Sequence, residues 1–191
     1  MDVVRCSIAA LCAAAGMTAQ AAELSDAELA GLLRGGGLTL YFRHGVTERS
    51  QQDTQGRDYD DCSKQRNLSS AGREESRAIG EAIRAARLPI GEVVASPYCR
   101  TLDTALLMFR KAERSTALLP QTGADGRPGY APLLRLVSTP PAPGTLRVVV
   151  AHNVPEIARL EEGEAAVVRP LGDKFEVLAT VGAKRWRAFA R

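Results

Sequence analysis

Three short apolar runs punctuate the chain, each ending in a polar break: Leu40 to Phe42, Glu92 to Ser96 with Val93-Val94-Ala95 at its centre, and Arg147 to Ala151. Apolar runs of this length, bounded by glycine or proline, predict buried strands of a largely parallel sheet. Stretches with helical spacing lie between them. Ser25-Asp26-Ala27-Glu28-Leu29 opens a short helix running to about Leu33, with Ser25 as cap and Gly35-Gly36-Gly37 as its stop. Beyond Leu68-Ser69-Ser70-Ala71-Gly72, residues Ile79, Ala82, Ile83 and Ala86 share one face of a second helix that Pro89 closes. Tyr98 to Phe109 predicts a third, with Ser96 as its cap and Pro97 in its first turn.

The remainder is less regular. Thr47 to Gln65 is polar, without apolar periodicity, and predicts a long surface loop of the kind that is usually functional or disordered. Pro120 to Gly144 is rich in proline and glycine and reads as loop. A weak helix is expected near Pro155 to Leu160. Glu164 to Arg169 and Phe175 to Ala179 then form a hairpin or edge pair. The alternation predicts an α/β fold: three layers, with a mostly parallel central sheet flanked by helices.

Composition narrows this little. At 191 residues, 45% hydrophobic and 25% charged, the chain suits one globular domain with a real core. A net charge of +3 without clustering offers no basic stripe for nucleic acid, but it suits small anionic substrates.

The N-terminus changes the compartment. Arg5 precedes Ile8-Ala9-Ala10-Leu11-Cys12-Ala13-Ala14-Ala15, and Ala19-Gln20-Ala21 gives a small-x-small cleavage site. Residues 1–22 therefore read as a secretory signal peptide cut after Ala21 or Ala22, with the mature domain at 23–191. The apolar run is too short to span a bilayer. A periplasmic or secreted monomer, with no stable membrane insertion, is the expectation. Cys6 and Cys12 leave with the signal. Cys62 and Cys99 remain as a candidate disulfide in an oxidising compartment, with two free thiols as the alternative.

Each predicted strand ends in chemistry: Arg43-His44 before Gly45, Ser96 leading to Arg100, and His152. In an open α/β sheet, ligands bind beyond the carboxyl ends of the strands, and Gly45 lets the backbone turn sharply there. Two guanidinium groups and two imidazoles meeting there suit a phosphoryl group. Arginine's planar fork matches phosphate oxygens, a helix N-terminus adds N–H donors, and a histidine can serve as covalent nucleophile.

Arg43-His44-Gly45 with Thr47, Leu68-Ser69 with Gly72, Ser96-Pro97 with Arg100, Thr104-Ala105 and His152 together resemble the histidine phosphatase, or phosphoglycerate mutase-like, superfamily. The pattern spans most of the mature chain, whose length is similar to that of short, secreted phosphatase-type members. The resemblance implies a phosphoglycerate mutase-like fold and hydrolysis of phosphomonoesters without metal or cofactor. His44 would carry a phosphohistidine, and Arg43, Arg100 and His152 would bind the phosphoryl oxygens. Thr47 and Asn153 are substrate-binding candidates, although Thr47 also suits a turn cap. The substrate would be a phosphorylated small molecule, with cell-envelope phosphosugars among the candidates.

Two departures from the family pattern bear on the general acid. Members commonly carry glycine after the second histidine, or in one branch an aspartate that donates the proton; here Asn153 cannot. A glutamate after the second-arginine helix is the usual substitute, yet Glu113 sits among charges typical of a solvated helix end. Glu164 is the preferred candidate, followed by Glu156. Without an acid, substrates with good leaving groups gain weight. A phosphomutase or phosphotransferase on the same site, and a phosphate-binding protein with decayed catalysis, are the alternatives. Arg49, Arg57 and Arg66 are expected to be solvated loop arginines, and Trp186 to pack in the core.

Overall fold

The computed structural model describes residues 24–54, 58–123 and 126–190. The signal-peptide expectation and Arg57 lie outside these residues. Helix α1 spans Asp26–Gly35, and its Ser25 cap forms a full capping box with Glu28. Strand β1 (Thr39–Arg43) follows, then the long loop, in which Cys62–Lys64 makes one 3₁₀ turn. Helix α2 (Ser70–Ala85), capped by the Ser69 hydroxyl on the Gly72 N–H, leads to β2 (Ile90–Ala95) and α3 (Cys99–Phe109). Next come β3 (Glu113–Arg114), the small hairpin β4 (Gln121–Thr122) and β5 (Pro128–Gly129), and α4 (Ala131–Ser138). Strands β6 (Leu146–Ala151), β7 (Ala165–Pro170) and β8 (Phe175–Val181) complete the order before a 3₁₀ segment, Arg185–Ala190.

The six-stranded sheet runs β3-β2-β6-β1-β7-β8. Strands β3, β2, β6 and β1 are parallel; β7 pairs antiparallel with β1, and β8 antiparallel with β7, along one edge. This is the mixed, largely parallel α/β architecture that the strand runs predicted. Both faces of the inner strands are covered, which is why those strands read as unbroken apolar runs. Leu40, Phe42, Val148 and Val150 join one core with α1, α2 and α3; Tyr41, Val149 and Ala151 join the other with Leu133 and Val137 of α4. Trp186 is fully buried and stacks on Phe42 with ring centroids 5.5 Å apart, so it packs as expected.

Three expectations fail locally. The segment 120–144 is not all loop: Leu133, Leu134, Leu136 and Val137 form α4, with Pro132 tolerated in its first turn. Proline density hid a short amphipathic helix. Residues 155–160 form no α-helix; Val154 and Ala158 instead pair in an isolated bridge. Helix α3 begins two residues later than expected, at Cys99, and Tyr98 rather than Ser96 is its N-cap, with no side-chain capping bond. The Ser96 hydroxyl is engaged elsewhere.

Candidate active site

The parallel strands deliver their terminal residues to one edge. His44 extends β1: its N–H donates to the Ala151 carbonyl at the end of β6 (3.1 Å), and its carbonyl accepts from the Gly163 N–H (2.9 Å). His152 follows β6 directly, and Tyr41 Oη donates to its carbonyl at 2.8 Å. The two imidazoles meet edge to face with centroids 5.6 Å apart. The turn at Gly45 is governed by close approach, because a Cβ there would stand 2.8 Å from Ser76 Oγ on α2.

His44 Nδ1 lies 2.9 Å from the Gly45 carbonyl, which can only accept. Nδ1 therefore carries the proton, and in the neutral ring Nε2 holds the lone pair. Burial pushes the His44 pKa down to about 4; Arg100 and Arg43 act the same way, against the Gly45 bond and Glu162. Burial, Arg100 and His44 push His152 down to about 3. Both rings are neutral at pH 7.

Arginines surround this pair. Arg100, only 5% exposed, sits in the first turn of α3. Its Nη1 donates to Asp53 Oδ1 (2.9 Å) and to the Arg66 carbonyl (3.3 Å), and its Cζ lies 4.2 Å from the Tyr98 ring centroid. Arg43 Nη1 donates to the Leu160 carbonyl (2.8 Å), and its Nη2 stands 3.8 Å from Glu162. Among the described residues, the Nε atoms of Arg43, Arg66 and Arg100 are all buried without a hydrogen-bond partner. A buried unpaired donor costs about 1–3 kcal/mol, and more when charged.

Arg66 thus departs from the solvated role expected for it: its Nε is buried, and its backbone N–H donates to Asp53 Oδ1 at 2.9 Å. The fold of the 47–66 loop accounts for this. Cys62 and Cys99 form a disulfide with Cα atoms 5.7 Å apart. Beside it, Gln65 Oε1 accepts the Cys99 N–H at the start of α3 (2.9 Å), which brings the loop onto the residue before Arg100.

The carboxylates are arranged differently from the sequence expectation. Glu164 accepts the Glu161 N–H at 2.9 Å through its side chain and meets Arg43 only through its backbone carbonyl. Glu156 is exposed, and Glu113 lies exposed on the edge strand β3. Glu162 instead faces the site: its carboxylate accepts from the Thr47 N–H (3.2 Å) and hydroxyl (2.8 Å) beside Arg43. Burial pushes its carboxyl up, but Thr47, His44 and Arg43 outweigh this and hold it below the usual range. Gly163, at φ +85°, makes the turn that separates Glu162 from Glu164. Spacing alone could not say which of Glu161, Glu162 and Glu164 turns inward. Thr47, a substrate-binding candidate, has its hydroxyl committed to Glu162; exposed Asn153 accepts the Leu160 N–H at 3.0 Å. Among the described residues, no group of three or more His, Cys, Asp or Glu side chains could hold a metal ion.

The histidine phosphatase superfamily (branch 1) matches residues 40–121, a span that includes Arg43, His44, Arg66 and Arg100. No curated protein matches the chain in sequence. Among solved structures, the chain is similar to the protein histidine phosphatase SixA complexed with tungstate, at 16% identity and TM-score 0.51, covering 77% of this chain and 97% of that one. It is also similar to mycobacterial glucosyl-3-phosphoglycerate phosphatase with inorganic phosphate, at 16% identity and TM-score 0.55, covering 78% and 99%. The phosphoglycerate mutase of Bacillus anthracis str. Sterne shares the fold at 12% identity and TM-score 0.52, covering 83% and 99%. At such identities these likenesses speak to the fold. Residues 40–121 thus resemble the histidine phosphatase superfamily in sequence, and the chain as a whole shares the fold of these phosphatases and of the mutase.

Proposed function

We propose that the protein hydrolyses phosphorylated small molecules through a phosphohistidine on His44. The observation that carries this reading is a buried, neutral His44 whose Nδ1–H is held by the Gly45 carbonyl, leaving the Nε2 lone pair free in the field of Arg100 and Arg43. The phosphoryl oxygens would take guanidinium N–H donors of Arg43 and Arg100, which would hold charge that builds in the transition state. His44 Nε2 gives its lone pair to phosphorus, and the bond from phosphorus to the leaving oxygen or nitrogen breaks. Water then attacks the phosphohistidine, the N–P bond breaks, and the pair returns to Nε2. Inorganic phosphate departs, and the proton lost by water stays on it or passes to solvent.

Substrate class follows from the carboxylates. Hydrogen bonds and neighbouring positive charge hold both Glu162 and Asp53 below the ordinary carboxylate range. Neither is protonated at neutral pH, so neither can act there as a general acid. The site therefore favours leaving groups that need little help from an acid: phosphohistidine, acyl phosphates and aryl phosphates ahead of simple alkyl esters. The Cys62–Cys99 disulfide and the leader-like pattern of residues 1–22 support an exported enzyme, and export keeps envelope phosphosugars among its candidate substrates.

The test is hydrolysis of an aryl phosphate by residues 23–191, with chelator present, beside His44→Ala. Turnover abolished by the substitution is the expected result. An unaltered rate in His44→Ala, or an inactive wild type across pH 5 to 8, would overturn the proposal.

A further inference from the structure

Thr101 and Ser96 are both fully buried, and their hydroxyls link His152 to the backbone. Thr101 Oγ1 lies 2.7 Å from the Ser96 carbonyl and 2.7 Å from the Tyr98 carbonyl. It also lies 2.9 Å from Ser96 Oγ, which in turn lies 3.0 Å from His152 Nε2. A hydroxyl has one proton to donate, and a carbonyl oxygen only accepts. With two carbonyls at that distance, the Thr101 proton goes to one of them. Thr101 therefore offers Ser96 a lone pair, and Ser96 donates its own proton to Thr101. Ser96 then meets His152 as an acceptor, so His152 Nε2 must carry hydrogen.

We infer that Thr101, acting through Ser96, is a positioning residue that fixes His152 in its Nε2–H tautomer and leaves Nδ1 as the bare nitrogen. A neutral imidazole has two tautomers, and the hydrogen bond at one nitrogen decides between them. The ring's aromatic contacts do not: Tyr98 and His44 meet it edge to face at 4.9 and 5.6 Å. The consequence is directional. When an anion enters beside His152, any proton the ring gains lands on Nδ1, because Nε2–H is already engaged. The functional part of this inference rests on the phosphatase reading; the tautomer does not.

The experiment combines ¹⁵N NMR of the imidazoles with aryl phosphate kinetics. With two histidines in the chain, His44→Ala assigns the His152 signals by difference. Wild type at pH 7 should show a protonated Nε2 and a bare Nδ1 on His152. Thr101→Val keeps the branched shape but removes the acceptor, freeing Ser96 to donate to Nε2; His152 should then become a tautomer mixture. Thr101→Ser should restore the single tautomer. In kcat/KM, Thr101→Val should lose roughly tenfold, well short of the ~10⁴-fold attached to a wholly wrong tautomer in a serine-protease triad. Thr101→Ser should recover most of it. Ser96→Ala gives the same NMR readout where Thr101→Val folds poorly. An Nδ1–H ring in wild type, or an unchanged tautomer in Thr101→Val and Ser96→Ala, would overturn the inference. An inactive wild type would sink the phosphatase reading, and the NMR result would still decide the tautomer.

Discussion

Asp53 Oδ1 lies 2.9 Å from Arg100 Nη1, so a carboxylate from the long loop already engages the arginine proposed to bind the phosphoryl group. Burial pushes the Asp53 carboxyl up, but the Arg66 N–H and the Arg100 guanidinium outweigh it and keep the group ionised. An incoming phosphate must share Arg100 with that negative charge. Asp53→Asn keeps the Oδ1 acceptor for Arg66 and removes the charge. The Asp53 side chain is 39% exposed, so solvent screens the effect to about 1 kcal/mol. Inhibition by inorganic phosphate should tighten about fivefold in Asp53→Asn. A weaker Ki would mean that Asp53 orients Arg100 more than it competes for it.

Both histidines lie below their usual pKa, His44 at about 4 and His152 at about 3, chiefly through burial. The unfolded chain therefore binds more protons below pH 6.5, and stability must fall as the solution is acidified. The loss begins near the unfolded value and continues to about pH 4 for His44 and pH 3 for His152. At pH 5 each ring contributes about 2 kcal/mol of destabilisation. Urea midpoints recorded from pH 8 to pH 5 should decline, with a shallower slope in His152→Gln. The nucleophile itself stays neutral over that range, so the His44 acid limb of kcat/KM should appear only near pH 4.

The framework was legible because it rests on strong local signals. Runs such as Val148-Val149-Val150 have one comfortable place, a strand buried on both faces, and each is followed at once by its chemistry. The inward glutamate was not legible. Its direction depends on the Gly163 turn and on Thr47, 115 residues away in sequence. Arg66 was misjudged for a related reason: a loop arginine looks solvated until a disulfide and Gln65 fold that loop onto α3. Helix α4 was lost because its proline reads as a breaker unless it falls in the first turn.

That disulfide carries a prediction of its own. It closes a loop with a sequence separation of 37, for which chain entropy alone gives about 4 kcal/mol. Cys62→Ser with Cys99→Ser should lower the urea midpoint accordingly. The site should suffer beyond stability, because Asp53, Gln65 and Arg66 all belong to the bridged loop. KM for an aryl phosphate should rise more than kcat falls when measured well below the melting temperature. Equal loss in both parameters would place the bridge's role in folding alone.

Glu162 and Glu164 provide a paired test, since they flank one glycine and face different partners. Glu162 takes both donors of Thr47 and stands 3.8 Å from Arg43 Nη2, while the Glu164 side chain caps the Glu161 N–H. Negative charge at Glu162 draws the outer end of the Arg43 guanidinium toward itself and so helps to fix its orientation. Glu162→Gln retains acceptors for Thr47 but loses that attraction. One preorganised donor is worth on the order of 10²–10³ in rate, and a merely loosened one should cost less, roughly tenfold in kcat/KM. Glu164→Gln should stay within about twofold of wild type, as a substitution remote from reacting atoms does. Both variants are compared on an aryl phosphate, whose leaving group makes no demand on an acid. If Glu164→Gln is the crippled one, the acid expected from sequence is real, and the turn at Gly163 must rearrange when substrate binds.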